Sequence, residues 1–433
     1  MYILITIGTF IVLLLLGMNI GSVLLISGVV GVFLFGDINI LANILQSDVF
    51  TRVAGYTLTT IPLFILMSQF FIQSEIVKDM YTIVYNYSRG KSGVLGSLTI
   101  ILGGVLGSVS GSGTAASAAL GHVAVPELTK HGIKDDLAGA IAASGGALSG
   151  IIPPSIILIL FGASTLTPVN KLFMGAVLPG ILLMILFIIS MLTVHNIQIK
   201  KDANHKEIQF EKRDISPKKY FVTIITSLSI MSIIFVGIYL GIFTATEAGA
   251  IGAFVSLVAV IILGKFNKTV LKNSIIETIK VSGMVMYIMI GAQIFARFVS
   301  LSLLPNKLID LIQPILQNQT ITIITLVIIY FLLFMFLEGA AVIVMTVPIT
   351  LPILAATGID VLWFGVVVGI TCTIGLLTPP VGLSVFAVAG SVKIRIENIF
   401  KITMVFSLVA SVVTLIFLIS FPELVTWLPS NMK

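Results

Sequence analysis

The chain has 433 residues, of which 58% are hydrophobic and only 10% charged, with a formal net charge of +6 and a mean hydropathy of +1.16. That composition excludes a soluble globular domain and identifies a polytopic helical membrane protein embedded in a lipid bilayer. The positive balance is then a topology signal carried by loops, not a nucleic-acid surface, and the lone Cys372 excludes an intrachain disulfide or thiolate cluster.

In chain order, spans of roughly 20 residues are expected near 3–18, 21–36, 53–73, 137–165, 171–195, 220–240, 246–264, 275–299, 361–391 and 401–421. Met1 to Gly36 is apolar and the first charge is Asp37, which argues for two closely spaced spans and against a cleaved signal peptide. Residues 38–47 set Ile38, Leu41, Ile44 and Leu45 against Asn39, Asn43 and Gln46, the pattern of a short interfacial helix. The long polar insertion, 196–219, holds seven Lys/Arg and four Asp/Glu and separates two halves.

Two stretches fit no simple span. Residues 93–128 are interrupted at Ser110-Gly-Ser-Gly-Thr114, and 321–354 at Glu338-Gly-Ala-Ala341. Each flank holds about 15–17 residues, roughly 23–25 Å of helix, short of the ~30 Å hydrocarbon layer. Both are expected to be re-entrant hairpins with tips near the midplane, where irregular backbone must be buried in protein or line a cavity. With the N-terminus outside and both hairpins returning to their own side, 19 Lys/Arg fall on cytoplasmic loops. Arg52, Lys171, Lys307 and Lys433 lie outside, and Arg297 is intramembrane. The positive-inside rule supports this layout over a single crossing at 93–128; two full crossings would preserve the same parity.

The chain also repeats itself. A shift of 226 residues carries Pro153-Pro154 onto Pro379-Pro380, His131-Gly132-Ile133 onto Thr357-Gly358-Ile359, Pro126 onto Pro352, and Gly113 onto Gly339. Five spans separate each element from its copy, so the repeats are inverted, a construction that lets one site face either side. The fold class is an all-α polytopic membrane protein with inverted repeats, two re-entrant hairpins and two discontinuous helices. Its expected units are N-terminal scaffold helices (1–52), a first repeat (53–195), the cytoplasmic loop with further scaffold helices (196–274), a second repeat (275–421) and a tail (422–433).

Each diproline removes a backbone donor and suits the first turn of a new helix, so each host span should split, the second part beginning near Ser155 or Val381. Such a break frees carbonyls for a small hard cation and N–H groups for an anion; a plain proline kink is the simpler alternative. Ser110, Ser112 and Thr114 place hydroxyls at the first tip, Ser149 stands near the first break, and Thr371, Thr373 and Thr378 flank the second. Uncharged oxygens of this kind suit Na⁺, although small residues also permit close helix packing.

Three ionisable groups fall inside apolar stretches, where charge is a functional signal. Glu338 occupies the second tip, as part of a gate or ion site. Glu247 opens a span at Thr244-Ala-Thr-Glu-Ala248, the place for a helix cap. Arg297, near the outer end of its span, either snorkels or meets a substrate carboxylate. Asp135, Asp136, Glu127 and His131 read as solvated loop residues. There is no G-x-x-x-x-G-K-[ST] loop for ATP, no G-x-S-x-G and no H-E-x-x-H, which leaves hydrolase and protease readings without their nucleophile or metal ligands.

At these residues the chain resembles the large membrane subunit of tripartite ATP-independent periplasmic (TRAP) transporters, the DctM type. Ile61-Pro-Leu-Phe-Ile-Leu-Met67 is similar to the family's PLFxxMG, and Ser110-Gly-Ser-Gly-Thr-Ala115 to its first hairpin tip. Ile152-Pro-Pro-Ser155, Gly241-Ile-Phe-Thr-Ala-Thr-Glu-Ala248 and Leu376-Leu-Thr-Pro-Pro-Val-Gly382 resemble IPPS, GxxTPTEA and GxxTPPVG, in the family's order. The chain departs from it at Ala245 (usually Pro), Ser68 (Gly), Glu338 (often Asp) and Thr371 (often Asn).

The resemblance implies an inner-membrane, multi-pass carrier for Na⁺-driven uptake of an organic anion, of the sialic acid or dicarboxylate type, by an elevator movement without ATP. A periplasmic solute-binding protein would deliver the substrate. A small four-helix membrane subunit would accompany the chain as a separate polypeptide, since no four-span segment is fused ahead of it. Carried over by position, the Na⁺ contacts are Ser110, Ser112, Ser149 and Pro153 in one half, and Gly339, Thr371, Thr373, Gly375 and Thr378 in the other. The substrate contacts are Thr114, Ser155, Glu338, Ala340 and Arg297. A self-sufficient Na⁺- or H⁺-coupled anion carrier of similar architecture is the alternative.

Overall fold

A computed structural model of the chain describes residues 1–35, 41, 42, 46, 54–73, 76–201 and 211–432. The interfacial helix expected over 38–47 therefore lies largely outside the described residues. Nineteen α-helices and no strand occur among them, and nine helical segments are long and apolar enough to cross a bilayer.

The first half comprises α1 (Tyr2–Leu15), α2 (Ile20–Phe35), α3 (Thr60–Gln73), α4 (Ile76–Ser88), α5 (Ser92–Ser110), α6 (Gly113–Lys130), α7 (Asp135–Ala147), α8 (Ile156–Thr165) and α9 (Val169–Lys201). The second comprises α10 (Pro217–Ser232, prolonged by a π-turn to Gly237), α11 (Ala245–Ile262), α12 (Lys268–Leu301), α13 (Leu304–Leu316), α14 (Gln319–Phe336), α15 (Gly339–Thr357), α16 (Val361–Gly375), α17 (Leu383–Ser391), α18 (Ile396–Ser420) and α19 (Glu423–Ser430).

The duplication is visible helix by helix. Shifted by 226, the first residues of α6 and α7 fall on those of α15 and α16, and the last residue of α5 falls on that of α14. To within about two residues the same shift pairs α2 with α11, α4 with α13 and α8 with α17, and it brings the start of α9 onto that of α18. The amphipathic helices α4 and α13, and the terminal α19, had no counterpart among the expected spans, because none is long and uniformly apolar enough to read as a crossing.

Contacts cross between the halves in matching pairs. Helix α2 packs chiefly on α12 and its mate α11 chiefly on α3; likewise α6 packs on α17 and its mate α15 on α8. Lipid tails are as apolar as the side chains they replace, so such contacts depend on close approach of small residues. At the α2–α12 crossing, Gly28 lies so near the partner backbone that a Cβ there would sit 2.6 Å from the Phe295 nitrogen.

Both spans that carry a diproline are interrupted, as expected. Helix α7 gives way to a 3₁₀ turn at Leu148–Gly150 before α8 begins at Ile156, and α16 ends at Gly375 before α17 begins at Leu383. The second restart comes two residues after Val381 because Gly382 adopts a left-handed φ of +55°, which no helix accommodates. Glu247 forms a capping box with Thr244: the Thr244 N–H donates to its carboxylate at 2.8 Å, and the Glu247 N–H donates to the Thr244 hydroxyl at 3.2 Å. Glu127 and His131 are not solvated. Glu127 pairs with Arg213, and His131 is buried, with one ring nitrogen at 2.7 Å from the Glu127 carbonyl and the other at 3.3 Å from the Tyr85 hydroxyl.

Gly28→Val should lower stability by about 1–3 kcal/mol through overpacking, read as a lower thermal midpoint in detergent. Gly8→Val, on a surface with nothing within 4 Å, should stay within roughly 0.5 kcal/mol of wild type.

Candidate functional site

The two hairpins are turned by different chemistry. In the first, Gly111 takes a left-handed φ of +62° to close α5, and Ser112 caps α6 by accepting the Ala115 N–H at 3.5 Å. In the second, Leu337 is extended, and Glu338 caps α15 by accepting the N–H groups of Ala340 at 3.0 Å and Ala341 at 3.4 Å. Ser112 and Glu338 occupy equivalent repeat positions, so a hydroxyl and a carboxyl oxygen perform the same capping task in the two halves.

Both tips and both helix breaks border one small cavity of about 70 Å³. The tips contribute Ser112, Thr114, Glu338 and Gly339; the breaks contribute Gly150, Ile157, Leu376 and Leu383; α12 closes one side with Met284. The first turns of α6, α8, α15 and α17 thus surround the same space. Four helix N-termini bring partial positive charge and free N–H groups to one point, a setting for an anionic group.

Hydroxyls gather beneath the first tip. Ser110 Oγ donates to the Ser112 carbonyl at 3.3 Å, and the Ser112 and Thr114 hydroxyls are 3.1 Å apart. Ser149 is fully buried between the hairpin arms, and its Oγ has no hydrogen-bond partner in the protein. A Cβ added at Gly113 would lie 3.3 Å from that oxygen. A buried hydroxyl without a partner is costly unless something else completes its coordination. Together with the carbonyls released at the tip and break, these uncharged oxygens fit a small hard cation. Pro153 is buried in the adjoining break, where Ser155 Oγ donates to the Gly150 carbonyl at 2.8 Å and caps α8.

The second-half positions are more dispersed. Gly339 lines the cavity, and Ala340 is buried just behind it with its N–H held by Glu338. Thr373 faces Gly150 across the interface between breaks, where a Cβ at Gly150 would come within 2.6 Å of its oxygen. Gly375 abuts Phe334 of α14. Thr371 and Thr378 donate to the α16 carbonyls of Val367 and Ile374, at 2.8 Å each, and line a separate apolar cavity between α14, α16 and α18. Arg297 is exposed and stands 12 residues beyond Val285, the last cavity residue on α12, or about 18 Å along the helix. The structure does not bring it to the cavity.

Two cavity-side residues escaped sequence reasoning. Cys372 lines the space directly; its isolation in the chain signalled only the absence of a disulfide. Ser384 is fully buried with its Oγ unpartnered, and a Cβ at Gly113 would lie 3.5 Å from it. Its repeat counterpart is Leu158, so the duplication itself carried no hint of a polar role.

Comparison with known proteins places the site in context. The family model described as "Tripartite ATP-independent periplasmic transporter, DctM component" matches residues 7–424. The chain is 28% identical over 389 residues to the 2,3-diketo-L-gulonate TRAP transporter large permease protein YiaN of Escherichia coli, covering 88% of each. It is 28% identical over 365 residues to the C4-dicarboxylate TRAP transporter large permease protein DctM of Pseudomonas aeruginosa, covering 83% of each. It is 26% identical over 353 residues to the sialic acid TRAP transporter large permease protein SiaM of Vibrio cholerae, covering 80% of each. Among solved structures, the Alcanivorax borkumensis YdaH transporter shares the fold, with a TM-score of 0.66 at 12% identity over 88% of this chain and 89% of that one.

Replacing Glu338 with Ala should remove the α15 cap and lower stability by about 1 kcal/mol, measured by thermal unfolding. Glu338→Asp, which keeps a short anionic acceptor, should retain most of that stability.

Proposed function

The chain belongs to the DctM-component family of tripartite ATP-independent periplasmic transporters, and from that premise we propose that it moves an organic acid across the membrane together with Na⁺. As a TRAP large permease it is a multi-pass inner-membrane transport protein and not an enzyme. The substrate is an organic acid of the sialic acid or dicarboxylate type, the chemistry named for its relatives. A periplasmic binding protein presents it, and a small membrane subunit holds the large one in place.

The observation that supports this reading best is the meeting of four helix N-termini, drawn from both halves, at a cavity with a buried unpartnered hydroxyl beside it. The N-termini receive the carboxylate, and Ser110, Ser112 and Ser149 offer oxygens to Na⁺. The ion and the acid then stabilise the same closed arrangement, and each raises the other's affinity by the same factor. Helices α5–α8 and α14–α17, which surround the cavity, would travel as a body against α1–α3 and α10–α12, carrying the site from one side to the other.

The test is uptake of labelled organic acid into liposomes holding the large and small subunits, with binding protein outside and an inward Na⁺ gradient. Uptake should require both the gradient and the binding protein; uptake by the large subunit alone would sink the tripartite reading. Ser149→Ala should raise the Na⁺ concentration for half-maximal uptake by roughly 10–100-fold, the loss of one contact to a charged group. Alkylation of Cys372, the single cysteine, should abolish uptake, and Na⁺ with substrate should slow the alkylation.

A further inference from the structure

A second cavity, of about 770 Å³, lies at the opposite end of α5 from the cavity between the hairpin tips. Its walls are the end of α4, the first turns of α5 and α10, and residues 212–215 of the loop joining the halves. Two long apolar helices, Ser92–Ser110 and the one starting at Pro217, begin at its rim. The cavity therefore lies where these helices start, on the side that the distribution of Lys and Arg along the sequence makes cytoplasmic.

The lining combines cations with amphipathic rings. Arg89, Lys91 and Lys212 face it, with Tyr87, Tyr220 and Phe221. Arg213 also borders it, but its guanidinium is engaged by Glu127 and stacked 4.1 Å above the Tyr85 ring. Asp214 is the single carboxylate in the wall. No side chain caps the N-terminus of α5, whose Ncap residue is Lys91, so its first-turn N–H groups add to the attraction for an anion.

An apolar track leads away from the cavity. Phe221, Ile225 and Leu228 recur on one face of α10, and each is about 60% exposed. Val94 and Ile101 are exposed on α5. Both helices start at the cavity, and they approach each other again where the Ser108 hydroxyl reaches the Met231 sulfur at 3.4 Å. A soluble anion would use only the cations, whereas a ligand with a charged head and long tails would use both features.

We propose that this cavity binds the headgroup of an anionic glycerophospholipid of the inner leaflet. Its phosphate lies among Arg89, Lys91, Lys212 and the α5 amides, and an acyl chain follows α5 and α10. The aromatic rings sit at headgroup level, the depth that such residues favour. Polybasic sites at this surface gain affinity with each cation, and α5 belongs to the first hairpin while α10 does not, so the lipid bridges two packing groups.

Native mass spectrometry of the full chain should show phosphatidylglycerol retained over phosphatidylcholine by about tenfold or more. Arg89→Gln/Lys91→Gln/Lys212→Gln should lose that preference, while Arg89→Lys/Lys91→Arg/Lys212→Arg should keep it. Lys268→Gln/Lys272→Gln/Lys393→Gln, at the start of α12 and in the loop before α18, should also keep it. An unchanged preference in the first variant overturns the proposal, as does an equal loss in the last. Displacement of the lipid by inorganic phosphate at equal concentration would show a soluble-anion site and overturn it too. A photoreactive phosphatidylglycerol should label wild-type α5 and α10; labelling confined to other helices would refute the assignment without any variant.

Discussion

A peptide group without a hydrogen bond is expensive anywhere inside a membrane, and this protein interrupts its backbone at four places. That constraint organises the molecule. Breaks that faced lipid would each be unfavourable; breaks that face one another create a polar pocket whose groups can be satisfied by a ligand. The tips at Gly111-Ser112 and Leu337-Glu338 and the gaps before Ile156 and Leu383 share a cavity for this reason. The capping residues Ser112, Ser155 and Glu338 supply what the protein can supply from within. What they leave over are the buried Ser149 and Ser384 hydroxyls, which have no partner within the protein.

The pseudo-symmetry explains how the interruptions find one another. Each hairpin packs its second arm on the half-helix of the opposite repeat, α6 on α17 and α15 on α8. The site therefore consists of interfaces between halves, and neither half contains a complete one. Its two sides are also unlike in chemistry. The first half brings a cluster of hydroxyls; the second brings a carboxylate already committed to its own helix N-terminus. The repeat accounts for the shared geometry, and the pair Ser112 and Glu338 at matching positions for the difference in chemistry.

Most of this architecture was readable in the sequence because its signals are backbone signals. Glycine, proline and small hydroxyl residues at a constant spacing mark where helices must stop, and Pro153-Pro154 and Pro379-Pro380 marked two of the four interruptions directly. The repeat offset then related the hairpins without any structural input. Side-chain direction was harder to read. Thr371, one turn before the break, and Thr378, within it, both turn toward α14 and α18, and on a helix a step of one residue already rotates a side chain by about 100°. Arg297 lies on a cavity-forming helix, but its distance along that helix decides its surroundings. Ser384 and Cys372 were legible only as small residues in an apolar run. Glu127 and His131 looked like solvent-facing loop groups until Arg213 and Tyr85, distant in sequence, were found against them.

The exchange of helices between halves has a consequence for how the chain is made. Helix α2 packs chiefly on α12, which is synthesised roughly 240 residues later, a delay of about 12–50 s at ordinary ribosomal speeds. During that interval the glycine-lined face of α2 has only lipid or a chaperone for company. The nascent protein must therefore insert its early segments individually and reorganise them once the later ones arrive. The seam between α2 and α12 closes only once α12 has entered the bilayer, so an early helix waits for its final neighbour.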